Sequence, residues 1–425
     1  MKRRLLMTFL IGMVFGVVLS LKALALLAGA SSAEYTPEVM KVKISLGGYS
    51  ARWGKPANSV HDPVRAEALV LKSGENMIAI VTMDIGGIST GLREKILEKL
   101  SGTGINDSNF LITATHSHSA PSGFSKHPDY YEFTINQAAK AIKSALANLK
   151  PATLRVGQKQ VPGLTRNRRD PSYDYGTRRF DSSYDPKNPL NITDDTITVI
   201  RVDGQDGKPI ALLVNFATHA TVLGSDSFAV SADWPGAMKK RLESEFPGAV
   251  AMFMNGAQGD QEPVMLDVEP LSDLQYLERI GNDIAEAALP LVKDSQPVNA
   301  EPINSLIERN KVKAWVKLYN VPILKSALGK EYSEMPLMAM KAGDVVFMAI
   351  PLEAISKIGI TLKKSAQGFG YKYPIVAGLA NAHFGYCATP DEFARGGYEV
   401  NLTAFGKMEA GFVIGEMMLI LRQMK

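Results

Sequence analysis

"LITATHSHSAPSG", residues 111–123, starts as an apolar strand and breaks into a polar loop that carries His116, Ser117 and His118, with Pro121 and Gly123 marking the turn. The chain contains only six histidines, and two of them stand one residue apart here. On extended backbone, side chains at i and i+2 point the same way, so the pair can serve one site. A strand that surfaces into a chemically capable loop is how a rigid scaffold presents functional groups.

The same grammar recurs. "IALLVNFATHAT" (210–221) ends on His219, "AVAMFMNGAQGD" (249–260) runs into Asn255 through Asp260, and "DVVFMAIPLEA" (344–354) ends on Glu353. Residues 67–85 read as two strands around a Ser-Gly turn. Helical spacing of apolar residues interleaves with these runs over 90–102, 130–152, 231–248, 273–292 and 407–425, and a strand, Pro turn and helix fill 344–366. The alternation predicts an α/β fold with mixed β-sheets flanked by helices, in one large domain from about residue 35 to 425. The Arg- and Tyr-rich stretch 165–190 reads as a long excursion lining a site rather than a domain boundary.

Composition narrows the function classes. With 46% apolar and 21% charged residues the chain is an ordinary globular one, large enough for a sizeable core. A net charge of +4 is small for 425 residues, and no long basic run with interleaved aromatics occurs, so no nucleic-acid partner is expected. Cys387 is the sole cysteine, which excludes an internal disulfide and a thiolate metal site; a metal would need His, carboxylate or Tyr.

The start of the chain departs from this pattern. Lys2, Arg3 and Arg4 precede an apolar run over 5–21 and small residues at Ser31, Ser32 and Ala33, the layout of a secretory signal cleaved after Ala33. An uncleaved membrane anchor through residues 5–21 is the alternative. Either way the remainder is expected to be exported: periplasmic, extracellular or held at the outer face of the membrane.

Taken singly, the strand-end residues have plain structural readings. A histidine such as His219 is usually a satisfied polar group, Glu353 a helix-start carboxylate favoured by the dipole, and Tyr386 and Tyr398 half-buried aromatics. Taken in order, they resemble a family. "TATHSHSAPSG" is similar to the "GTHTHSGPGG" signature of the neutral/alkaline non-lysosomal ceramidases; "NFATHAT" resembles its "FAVHPTS" and "MNGAQGDQEP" its "NAGDVSPN". "AIPLEAISKIG" resembles "VPGEFTTMAG", and "LANAHFGYCATPDEFARGGYEV" resembles "SNGYADYITTPEEYAVQRYEG", with the same interval between the two tyrosines. "HDPVRAEALVL" and "TRNRRDP" resemble the family's "IHxRLRARAFV" and "NRSP" segments, so the likeness spans nearly the whole chain after the leader.

The resemblance implies a zinc ion held by His116, His219, Glu353 and Tyr386, with His118 beside the substrate amide and Arg168 and Tyr398 orienting the substrate's polar head. Two departures stand out. The family's Gly-Asp-x-Ser-Pro loop supplies a serine nucleophile, whereas this chain has Glu262 at that position. A glutamate cannot do the serine's chemistry, but it can act as general base toward water activated by the metal. The chain also ends soon after the helix 407–425, without room for the family's C-terminal immunoglobulin-like module. The resulting expectation is an exported zinc-dependent hydrolase that cleaves an amide, ceramide-like or another N-acyl compound, or else an ester. The rival is a non-catalytic cell-envelope binding protein that keeps the fold. Its partner is a small molecule or lipid, and oligomeric state is open.

Overall fold

The computed structural model describes residues 26–313 and 332–425. Counting only the principal elements, the chain runs β1 (Leu27–Glu34), β2 (Arg65–Ser73), β3 (Asn76–Met83), α1 (Thr90–Lys99), β4 (Phe110–Ala114), α2 (Pro128–Ala147), β5 (Lys150–Gln160), β6 (Thr196–Gly204), β7 (Pro209–Phe216), α3 (Trp234–Glu245), β8 (Val250–Asn255) and α4 (Asp273–Lys293). It continues through β9 (Ile303–Lys313), β10 (Tyr332–Ala342), β11 (Val345–Ala349), α5 (Ser356–Gly368), β12 (Tyr373–Ala377) and α6 (Glu409–Gln423).

Eight of these strands form one mixed sheet in the order β8-β7-β6-β5-β1-β2-β3-β4, and β9-β10-β11-β12 form a second. Strand alternation decides how they stack. On β2, Leu69 and Leu71 face one core together with Met338, Met340 and Phe347 of the second sheet, while Ala66, Ala68 and Val70 face α1 and α2. Likewise Leu212 and Val214 of β7 pack under α3 and α4, and Val346 and Met348 of β11 under α5 and α6. Two sheets face to face, each covered outside by helices, give a helix-sheet-sheet-helix sandwich; the alternating pattern predicts the mixed sheets and flanking helices but not their stacking.

Two features correct the sequence reading. Ser31, Ser32 and Ala33 lie inside β1, which pairs with β2 from Leu27 opposite Lys72 to Glu34 opposite Arg65 and touches β5 at Leu27 and Ala28. Cleavage after Ala33 would strip an interior strand from the sheet, so the ordered domain begins by Leu27 rather than near residue 35. The small residues have another cause: α2 lies so close that a Cβ on Gly29 would sit 2.0 Å from the Ala145 carbonyl oxygen. The basic start and the apolar run 5–21 fall outside the described residues, among which no helix is long and apolar enough to cross a membrane. The second correction is β9 and β10, paired antiparallel over their full length though periodicity does not assign them. β10 reads "YSEMPLMAMKA", rich in Met and Ala and interrupted by Pro336, with few β-branched residues to signal a strand.

Candidate active site

Three neighbouring strand pairs run parallel, β3 with β4, β7 with β8, and β11 with β12. The carboxyl ends of parallel strands are where open sheets present ligands. Here β4 leads to His116 and His118, β7 to His219, β8 to Glu262, β11 to Glu353 and β12 to Tyr386, and these side chains meet.

His116 takes a left-handed backbone conformation, φ 69°, unusual for a residue with a side chain and typical of functional sites. Its amide donates to the Ile85 carbonyl at 3.0 Å, and its ring Nδ1 bonds the Gly86 carbonyl. His219 is fully buried, and its ring Nδ1 lies 2.9 Å from the Gln261 carbonyl. A carbonyl can only accept, so both rings carry a proton on Nδ1 and, when neutral, turn a lone pair inward from Nε2. Both Nε2 atoms lie 3.1 Å from the same carboxylate oxygen, Oε2 of Glu353. Glu353 stands directly opposite Tyr386 in a short parallel bridge, Glu353–Ala354 against Tyr386–Cys387. The Tyr386 hydroxyl, which accepts from Arg168 Nη2 at 2.9 Å, reaches 3.4 Å from His219 Nε2.

Donor atoms of His116, His219 and Glu353 all fall within 4.8 Å of one another, and all three residues are buried. Acceptors pressed together with their donors already spent repel one another unless a cation lies among them, and two imidazoles with a carboxylate suit a divalent metal. Backbone carbonyls on the far ring nitrogens are the outer shell that metal-ligating histidines use. The residues present therefore fit a metal site. Without a cation the same closeness is a charge pair: burial disfavours charge on Glu353, yet His116 and the carboxylate's hydrogen bonds hold it well below its usual range. Burial likewise depresses His116, but Glu353 outweighs it and raises the ring.

On the other side of His219 sits a closed ion-pair network. Arg168, buried, donates to Glu262 at 2.7 Å and to Glu399 at 2.8 Å, and lies over the rings of Tyr398, Tyr386 and Tyr175. Glu262 lies on the short strand Gln261–Pro263, paired with Thr165–Asn167, and its second oxygen accepts from the Thr221 hydroxyl. His118 Nε2 is 3.3 Å from His116 Nε2; its ring meets Tyr49 edge-on at 4.8 Å. Burial, and then the neighbouring His116 and His219, push His118 well below the usual imidazole range, which keeps it neutral. Tyr398, 46% exposed, forms an aromatic rim with Tyr175 at 5.5 Å between ring centroids. All eight residues singled out by sequence thus converge. Asp260 has a supporting place instead, accepting from the amide and hydroxyl of Ser356 and from Asn167.

A sequence profile described as "Neutral/alkaline non-lysosomal ceramidase, N-terminal" matches residues 26–270, more than half of the chain. This chain belongs to that ceramidase family. The neutral ceramidase of Drosophila pseudoobscura pseudoobscura is 27% identical over 275 residues, covering 58% of this chain and 38% of that protein. The neutral ceramidase of Pseudomonas aeruginosa is 22% identical, covering 89% of this chain and 69% of the relative. The crystal structure of neutral ceramidase from Pseudomonas aeruginosa superposes with a TM-score of 0.80 at 19% identity, over 94% of this chain and 74% of that one. The chain thus has the neutral ceramidase fold, while its match spans well under half the length of the insect relative.

Within this ceramidase-family site, sequence reasoning passed over His383, Thr221, Tyr49, Tyr175 and Glu399. His383 Nε2 bonds the second oxygen of Glu353 at 3.0 Å. Its only sequence signal is its place three residues before Tyr386.

Proposed function

We propose that this chain is an exported, zinc-dependent amidohydrolase acting on a ceramide-like or other N-acyl substrate. The observation that carries the reading is the convergence of His116 Nε2, His219 Nε2 and Glu353 Oε2, with the Tyr386 hydroxyl beside them. Two imidazoles, a carboxylate and a phenol suit Zn²⁺, which when bound supplies a Lewis acid for an acyl carbonyl and makes water more acidic.

The protein's own groups divide the remaining work. Water adds its oxygen to the acyl carbon, the carbon–nitrogen bond breaks, and the water's two protons end on the fatty acid and the departing amine, or in solvent. Glu262 receives the first proton: the Thr221 hydroxyl that occupies its Oε2 can rotate away, while Arg168 keeps Oε1 fixed. Neutral His118, whose Nε2 lies 3.3 Å from His116 Nε2, can turn that N–H toward the carbonyl oxygen or pass a proton. Arg168 and the Tyr398 rim orient the polar head. Export rests on the basic and apolar start of the chain, and processing, where it occurs, falls before Leu27.

One observation favours a second reading, a metal-binding protein without turnover: both oxygens of Glu262 are already satisfied. Glu262→Gln separates the two. The hydrolase reading expects metal content to stay and release of fatty acid from ceramides or simple N-acyl amines to fall ~10²–10⁴-fold, the usual worth of a general base. Full rate in that variant would remove Glu262 from the mechanism; no hydrolysis by the zinc-loaded wild type would leave the binding reading.

A further inference from the structure

We propose that His383 is a positioning residue of the metal centre, which grips one oxygen of Glu353 so that the other stays aimed at His116 and His219. The inference deepens the reading above and rests on it. Glu353 would bring a single oxygen, Oε2, to the convergence point, 3.1 Å from each imidazole. A glutamate's last torsion is broad and roughly two-fold, so nothing in the side chain itself decides which oxygen faces the site. The decision is made by Oε1, to which His383 Nε2 bonds at 3.0 Å. A carboxylate accepts only, so His383 donates from Nε2.

The fold makes room for this contact. After β3 the chain passes Gly86, whose carbonyl holds His116, and then Gly87, where a Cβ would stand 2.6 Å from His383 Nδ1 and 3.1 Å from its Cγ. Neighbouring glycines thus serve two histidines of one site, one through a carbonyl and one through a missing side chain. His383 crosses His116 nearly at right angles, with ring centroids 6.1 Å apart. Its side chain is 31% exposed, so it stands between buried Glu353 and water. Outer partners of metal ligands that act in this way are worth about 10–100-fold in metal affinity.

The test uses the full chain, loaded with Zn²⁺ and separately with Co²⁺. Competition with a chelator measures affinity, and the visible absorption of the Co²⁺ form reports coordination, which a merely structural role would not change. His383→Ala is expected to weaken Zn²⁺ binding ~10–100-fold and alter the Co²⁺ spectrum, with the metal-free melting temperature close to wild type. His383→Gln, whose amide can still donate, should recover part of the affinity. Gly87→Ala should act in the same direction as His383→Ala by displacing the ring, and it serves if His383→Ala does not fold. Wild-type affinity and an unchanged spectrum in both His383→Ala and Gly87→Ala would overturn this proposal while leaving the metal centre standing. A wild-type protein that holds no metal would overturn both.

Discussion

The two sides of His219 are built from the same kinds of side chain and are balanced differently. Toward Glu262, every group has its complement: Arg168 spans Glu262, Glu399 and the Tyr386 hydroxyl, and Arg169 pairs with Glu392 and Glu399. Toward Glu353, acceptors converge on one another, with both ligand rings committing their Nδ1 protons to carbonyls. The closed side is held by the protein's own charge, and the open side asks for charge from outside. Buried polar groups are satisfied within a protein unless they serve a ligand, and that contrast locates the site more firmly than any single motif.

Changes on the closed side should cost folding. Arg168→Ala takes the arginine from buried Glu262 and leaves Glu399 to its pair with Arg169, and we expect a loss of ~3–5 kcal/mol in denaturant unfolding. Arg168→Lys keeps the charge but not the fork that reaches two glutamates and a tyrosine, and should recover only part. If Arg168→Ala instead left stability intact while abolishing metal retention, the division between the two sides would be drawn in the wrong place. The smallest effect lies outside both. Asp233, fully buried at the start of α3, accepts from the amides of Val222, Leu223 and Trp234, yet burial raises its carboxyl to about 6. The native state then holds that proton more tightly than the unfolded chain. Its contribution to stability is therefore present at low pH and lost as pH rises from the ordinary carboxylate range through about 6. Asp233→Asn should flatten that part of a urea-midpoint profile between about pH 4 and 7; an unchanged slope would mean that Asp233 is not its source.

Much of the site was legible because its chemistry sits at strand ends, and strand ends are local. His116, His219 and Glu353 each follow an apolar run whose pattern needs no partner to be recognised. His383 was not legible. It lies in a loop where Leu379 and Asn381 take positive φ, and its relation to Glu353 exists only once β11 and β12 lie side by side. At the start of the chain, one pattern had two causes: "AGASSA" (28–33) is small enough to be a cleavage site and small enough to admit α2 against β1. Sequence cannot choose between them, because the choice depends on a helix more than a hundred residues away. Within the sheets, β10 escaped because Met and Ala mark a strand only when another sheet packs on them.

The central claim is that the acceptors around Glu353 are a metal site. It is tested most directly by measuring bound metal in purified wild-type, His116→Ala and His219→Ala protein, with the thermal stability of each read as Zn²⁺ is added. We expect wild type to retain zinc through dialysis and to gain about 2.7 kcal/mol at a hundredfold excess over its dissociation constant, with both variants losing metal and stabilisation together. Wild-type protein without metal and indifferent to added zinc, or variants that bind it as well as wild type, would contradict the account.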